Sequence, residues 1–198
     1  TPVCKEDQKT LYAVAPNESI LVTCDVEATP SNVSYMWFFN NSLEIIEITS
    51  FKWNGTYAEV YYRPDTLYGY GVLYCWARNE VGSQKEPCSF SIIPAGPPEA
   101  LKNCGVTNKS TTRIIIKCEP GYNGGLKQAF HLEVFNAALD RLQRNITQYD
   151  QPLFVVNDLP LGTSFILALY ASNSKGRSNS IALTVYTVLY SKKTTGMY

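Results

Sequence analysis

At 198 residues the chain is longer than one ordinary core of about 100–150 residues, so two domains are expected. Lys plus Arg and Asp plus Glu number seventeen each, leaving no formal charge. A nucleic acid or an anionic membrane surface as main partner would call for a basic stripe, so neither is expected. Fourteen tyrosines beside many Val, Ile and Thr make a strand-forming composition, and six cysteines, an even number, point to an oxidising compartment.

Residues 1–94 read as strands separated by turns: Ser19–Val26, Val33–Asn40, Leu43–Ser50, Tyr57–Tyr62, Gly71–Asn79 and Cys88–Ile93. Thr29-Pro30-Ser31, Asn40-Asn41-Ser42 and Asn54-Gly55 supply turn chemistry between them. Ile20, Val22 and Cys24 share one parity, as do Tyr35, Trp37 and Phe39, so each run sends alternate residues to one face. Cys24, then Trp37, then Cys75 about fifty residues after the first cysteine is the signature of an immunoglobulin sandwich, in which the tryptophan packs on a disulfide joining two sheets. The tyrosine expected two residues before the second cysteine is Leu73, and the acidic residue expected four positions before that is Gly69, so the corner hydrogen bond is either replaced or absent. Cys4 and Cys88 lie near the first and last strands. They can bridge if those strands run side by side, and a pairing of Cys4 with a preceding domain is the alternative.

Pro94-Ala95-Gly96-Pro97-Pro98 marks a boundary, because proline fixes φ and removes a donor. An elongated pair of domains with restricted bending is expected. The second domain spans 95–190. Ile114, Ile116 and Cys118 alternate, Glu119-Pro120-Gly121-Tyr122-Asn123-Gly124-Gly125 turns, and Phe130, Leu132 and Val134 form a further strand. Leu167, Leu169, Ala171, Asn173, Gly176 and Ser178 then follow Leu159-Pro160-Leu161-Gly162-Thr163-Ser164-Phe165. This half resembles a fibronectin type III domain, so the fold class is all-β, two tandem β-sandwiches. Two departures stand out. Cys118 occupies the place of the family's strand B tryptophan, with Cys104 fourteen residues earlier, and these read as a hairpin-spanning disulfide. Phe165 replaces the strand F tyrosine, removing its hydroxyl.

Asn-X-Ser/Thr occurs at Asn17, Asn32, Asn40, Asn54, Asn108 and Asn145, and six such acceptors with paired cysteines favour a secreted or cell-surface glycoprotein. All six are expected at the surface, Asn54 in a turn and Asn145 near a strand end. No signal peptide opens the chain and no apolar run approaches the roughly 20 residues that span a bilayer. An extracellular piece of something longer is expected.

Pro2-Val3-Cys4-Lys5, Gln8-Lys9-Thr10-Leu11-Tyr12, the run Gly71 to Gly82 through Cys75-Trp76-Ala77-Arg78-Asn79, and Ile93-Pro94-Ala95-Gly96-Pro97-Pro98 leading to Asn103-Cys104 together resemble the last immunoglobulin domain and the type III domain of the Sidestep family of arthropod cell-surface proteins. The resemblance covers residues 1 to about 187. It implies a cell-surface location as the extracellular part of a single-pass membrane protein, a role in axon guidance and synaptic partner choice, and Beaten path family receptors as partners. It implies too that upstream immunoglobulin domains engage those receptors, so that this chain acts as a membrane-proximal spacer. Residues 191–198 are read as a juxtamembrane-like tail leading to an anchor beyond the chain.

No enzyme inventory emerges. His131 is the one histidine and sits beside Phe130 on the outer parity of a strand. Gly121 to Gly125 connects strands rather than opening a helix, and Asp150 and Asp158 lack calcium-ligand spacing. No cofactor or metal is expected. The alternative to a spacer is a module that binds directly or self-associates. If Cys75 and Trp37 point inward, Tyr74 and Trp76 on one strand and Met36 and Phe38 on its neighbour point out. Such a patch is a candidate protein contact, with weak self-association as one use, unless neighbouring residues such as Arg78 or a glycan cover it.

Overall fold

The computed structural model describes residues 1–189, so the tail assigned to 191–198 lies outside the described residues. Two compact units meet between Ala95 and Gly96, one residue later than the sequence boundary. The Ala95 N–H still donates to Val14 O at 3.0 Å, inside the first unit, whereas the Gly96 N–H donates to Gly124 O at 3.0 Å, inside the second.

The first unit contains β1 (Val3–Cys4), β2 (Leu11–Val14), β3 (Ile20–Glu27), β4 (Ser34–Asn40), β5 (Ile45–Ile48), β6 (Lys52–Asn54), β7 (Tyr57–Tyr62), β8 (Gly71–Asn79), β9 (Gly82–Ser83) and β10 (Cys88–Pro94). One sheet runs β1-β3-β7-β6 and the other β2-β10-β8-β4-β5, with β9 added to β8. This is an immunoglobulin sandwich, with β2 parallel to β10. The strand expected over Leu43–Ser50 is shorter, because the Asn41 side chain turns the chain first: its Oδ1 accepts from the Leu43 and Glu44 N–H groups at 2.8 and 2.9 Å. The short strands β2 and β6 were not expected from the sequence, whereas β1 is the first strand expected near Cys4.

Alternation works as anticipated in the core. Trp37 is fully buried, stands opposite Cys75 on the adjacent strand, and packs on Phe90 with ring centroids 5.7 Å apart. Cys24 on β3 and Cys75 on β8 join the two sheets. Cys4 on β1 and Cys88 on β10 join them again.

The second unit contains β11 (Lys102–Lys109), β12 (Ile114–Glu119), β13 (Ala129–Asn136), β14 (Arg141–Gln148), β15 (Leu153–Val156), β16 (Ser164–Asn173), β17 (Gly176–Arg177) and β18 (Ile181–Tyr186). A sheet β11-β12-β15 packs on a sheet β14-β13-β16 whose last strand carries both β17 and β18. The topology is that of a fibronectin type III domain. Cys104–Cys118 ties β11 to β12 within one sheet, with Cα atoms 4.1 Å apart. A bulge between Lys102 and Gly105 brings the two cysteines into line, and Asn103 takes the left-handed conformation it requires, φ 49°. In place of an indole, Phe154 and Phe165 are fully buried, each contributing about 1.5–3 kcal/mol of burial.

Both missing corner tyrosines have substitutes. In the first domain the Tyr62 hydroxyl, offered from β7, donates to Gly69 O at 2.9 Å. Burial first, then the Asp65 charge, pushes its pKa up to about 12, so it remains a donor at any physiological pH. In the second domain the fully buried Thr187 accepts from the Thr163 N–H at 3.0 Å and donates to Pro160 O at 2.6 Å. It pins the turn before β16, where Phe165 has no hydroxyl to offer.

One eight-residue corner recurs. Ala77 to Gln84 and Ala171 to Ser178 both follow Ala-X-Asn-X-X-Gly-X-polar. In each, the asparagine Oδ1 accepts from the N–H two residues on. The glycine adopts a φ of 146° or 139°, a conformation that L side chains rarely adopt. The Ala77 N–H donates to Gln84 Oε1 at 2.7 Å and the Ala171 N–H to Ser178 Oγ at 2.9 Å. Backbone bonds return from Gln84 and Ser178 to the same alanines.

Candidate functional site

The outer face of the larger sheet of the first domain carries the predicted patch. On β4 and β8, Met36 stands directly opposite Trp76 and Phe38 opposite Tyr74. Met36 is 49% exposed, and Phe38, Tyr74 and Trp76 are half-buried, so the face is less open than four bare apolar side chains would make it. Polar neighbours flank it: Glu47 on β5 faces Phe38, Ser89 on β10 faces Tyr74, and Arg78 continues the row on β8. Asn40 follows Phe38 on the same parity, opposite Val72.

In the second domain His131 does face outward, but it is partnered. Its Nδ1 lies 3.1 Å from Thr147 Oγ1 and its Nε2 2.7 Å from Ser172 Oγ. The ring stacks on Tyr170 at 4.7 Å, and the Arg177 guanidinium lies over the Tyr170 ring, 3.8 Å from its centroid. The Tyr170 hydroxyl donates to Glu133 Oε1 at 3.2 Å. Burial, and then the Arg177 charge, hold the His131 pKa below its ordinary value. With both ring nitrogens occupied by hydroxyl partners, the imidazole is part of a surface lattice. Cross-strand register placed these residues together, which sequence spacing did not reveal.

The Cys4–Cys88 bridge has a polar lid that sequence reading also missed. Gln84, 6% exposed, donates from Nε2 toward Cys4 Sγ and Cys88 Sγ at 3.3 and 3.5 Å. A surface hollow of about 700 Å3 lies beside it, lined by Pro2, Lys5, Gln8, Glu86 and Pro87 among others.

Of the six acceptor asparagines, Asn17, Asn32, Asn54, Asn108 and Asn145 are exposed and Asn40 is half-buried. Asn54, Asn108 and Asn145 stand on β6, β11 and β14, each an edge strand. Asn145 is therefore within a strand rather than near its end, because the pattern Arg141–Gln148 alternates too weakly to be recognised.

No protein-family model matches the chain, and no curated protein matches it. Solved structures do. Domains A168–A170 of titin superpose with a TM-score of 0.53 at 16% identity, over 91% of this chain and 61% of that one. The FN1–FN3 domains of chicken CNTN1 give 0.43 at 13% identity, over 92% and 70%. Domains d3–d4 of rat CD45 give 0.44 at 21% identity, over 52% and 56%. The titin likeness shows the all-β fold of immunoglobulin-like and fibronectin type III domains. Among the described residues no group of three or more His, Cys, Asp or Glu is placed to hold a metal, and no helix is long and apolar enough to cross a membrane.

Proposed function

We propose that this chain is the membrane-proximal part of a Sidestep-family cell-surface protein, acting as a disulfide-stapled, glycosylated spacer. The upstream immunoglobulin domains of the full protein engage Beaten path family receptors, and an anchor beyond the chain holds it to the membrane. The observation that supports the spacer role is the Cys4–Cys88 bridge, which spans 84 residues and ties the first strand of the first domain to its last. A pull entering near Cys4 passes to β10 through the sulfurs, so the strands between are not peeled in series. Three bridges with no free cysteine agree with an oxidising compartment.

Surface plasmon resonance against a Beaten path receptor tests the assignment. Residues 1–198 alone are expected to show no binding at micromolar concentration, and the protein with its upstream domains to bind. Micromolar or tighter binding by residues 1–198 would place a receptor site here and end the spacer reading.

A further inference from the structure

Asn40 differs from the other acceptor asparagines in where it stands. It ends β4 on the outward parity, next after Phe38 and Met36 on that face, and residues i and i+2 of a strand lie about 7 Å apart on one side of the sheet. Its side chain makes no hydrogen bond among the described residues, whereas the adjacent Asn41 is fully engaged: Nδ2 donates to Tyr68 O at 2.7 Å while Oδ1 closes the turn. Ser42, the hydroxyl of the acceptor triplet, is exposed at the tip of that turn. An aromatic ring two positions before an acceptor asparagine, on the same strand face, is placed to receive the apolar C–H face of the first sugar.

We infer that an N-linked glycan on Asn40 lies along β4 over Phe38 and Tyr74 and covers the apolar face that ends at Met36 and Trp76. The inference rests on the extracellular reading, since the modification needs a lipid-linked oligosaccharide as donor. In that transfer the Asn40 Nδ2 forms the C–N bond to the sugar as the C–O bond to the lipid diphosphate breaks, and the amide proton leaves to base. No oxidant or reductant is involved. Transfer acts on the extended chain before β4 closes against β8, so half-burial of Asn40 in the folded domain does not oppose it. Two features favour the sugar over a second copy of this chain as the occupant. Asn40 itself lies on the face, and three of the four patch residues are half-buried, which leaves less apolar surface open than a stable dimer buries.

The test uses residues 1–198 secreted from animal cells. Glycopeptide mass spectrometry is expected to find sugar on Asn40. Enzymatic release of that sugar from the native protein should run about three- to tenfold slower than release from exposed Asn54, the range that an aromatic face contact supplies. Phe38→Leu should abolish the difference, with Asn54 unchanged as the control for folding. Asn40→Gln, which removes the sugar and keeps a neutral side-chain amide, should allow weak self-association in sedimentation velocity that the glycosylated parent lacks. Asn40 bare while the other sites carry sugar would overturn the inference alone, and six bare sites would overturn the extracellular reading with it. Equal release rates at Asn40 and Asn54 would overturn the stacked geometry. A fully glycosylated parent that dimerises, and is made monomeric by Trp76→Arg, would give the face to a second copy instead.

Discussion

In the first domain the two sheets are joined covalently at two points, Cys4–Cys88 and Cys24–Cys75. In the second, Cys104–Cys118 joins neighbours within a single sheet. On the chain-entropy model, separations of 84, 51 and 14 residues correspond to about 4.5, 4 and 3 kcal/mol. The first two loops are nested, so their contributions do not add. One architecture is thus held in two ways. The first domain keeps its sheets tethered even when its core loosens. The second depends on Phe154, Phe165, Leu132 and Leu167 to keep its sheets together.

The largest expected effect comes from cutting the staples separately. All three tryptophans, Trp37, Trp53 and Trp76, lie in the first domain, so indole fluorescence reports that domain alone and far-UV circular dichroism adds the second. Cys24→Ala with Cys75→Ala should lower first-domain stability, by less than the roughly 4 kcal/mol of an isolated loop of that length because Cys4–Cys88 still closes the chain around it, and leave the second transition in place. Cys104→Ala with Cys118→Ala should do the reverse, by about 3 kcal/mol. If either pair shifted both transitions equally, the domains would be one cooperative unit rather than two separately held sandwiches.

The shared corner offers a smaller and sharper test. Gln84→Ala and Ser178→Ala each leave a buried backbone N–H without its acceptor, costing about 1–3 kcal/mol in the domain concerned. The loss should be greater at Gln84, whose amide also donates to the two sulfurs. Equal losses in denaturant titrations would show that the sulfur contacts contribute nothing.

The smallest effect is a pH difference between the domains. The chain's one histidine, His131, is in the second, and its folded pKa is held below 6.5, first by burial and then by Arg177. As pH falls through 6.5 the unfolded chain takes up the proton before the folded one does. Second-domain stability should therefore decline from that point down toward the depressed folded value. His131→Gln should flatten the decline, and the first domain should lack this component. A second-domain midpoint insensitive to pH around 6.5 would show that protonation leaves the stacked lattice intact.

Alternation made the central strands legible. Val22 and Cys24, Trp37 and Phe39, and Leu167 and Leu169 lie in cores because one face of each strand meets the opposing sheet. The same parity placed Met36, Phe38, Tyr74 and Trp76 outward, yet could not say how open they are, since half-burial depends on neighbouring strands. Edge strands were harder to read. β1, β6 and β14 bury little, so their sequences carry no periodic signal, and β14 hid the position of Asn145.

Cysteine and tryptophan spacing, turn residues and the Ala-X-Asn-X-X-Gly pattern determine by themselves that two β-sandwiches follow each other. Those signals are local, set by which φ a residue tolerates and which face a period of two exposes. Tertiary structure alone decided which groups took over the vacant corner positions. Tyr62 reaches Gly69 across one connection, and Thr187 reaches Pro160 and Thr163 from the far end of the domain. A buried polar group accepts any partner of suitable geometry that the fold brings within hydrogen-bond range, and sequence distance sets no limit on where that partner comes from.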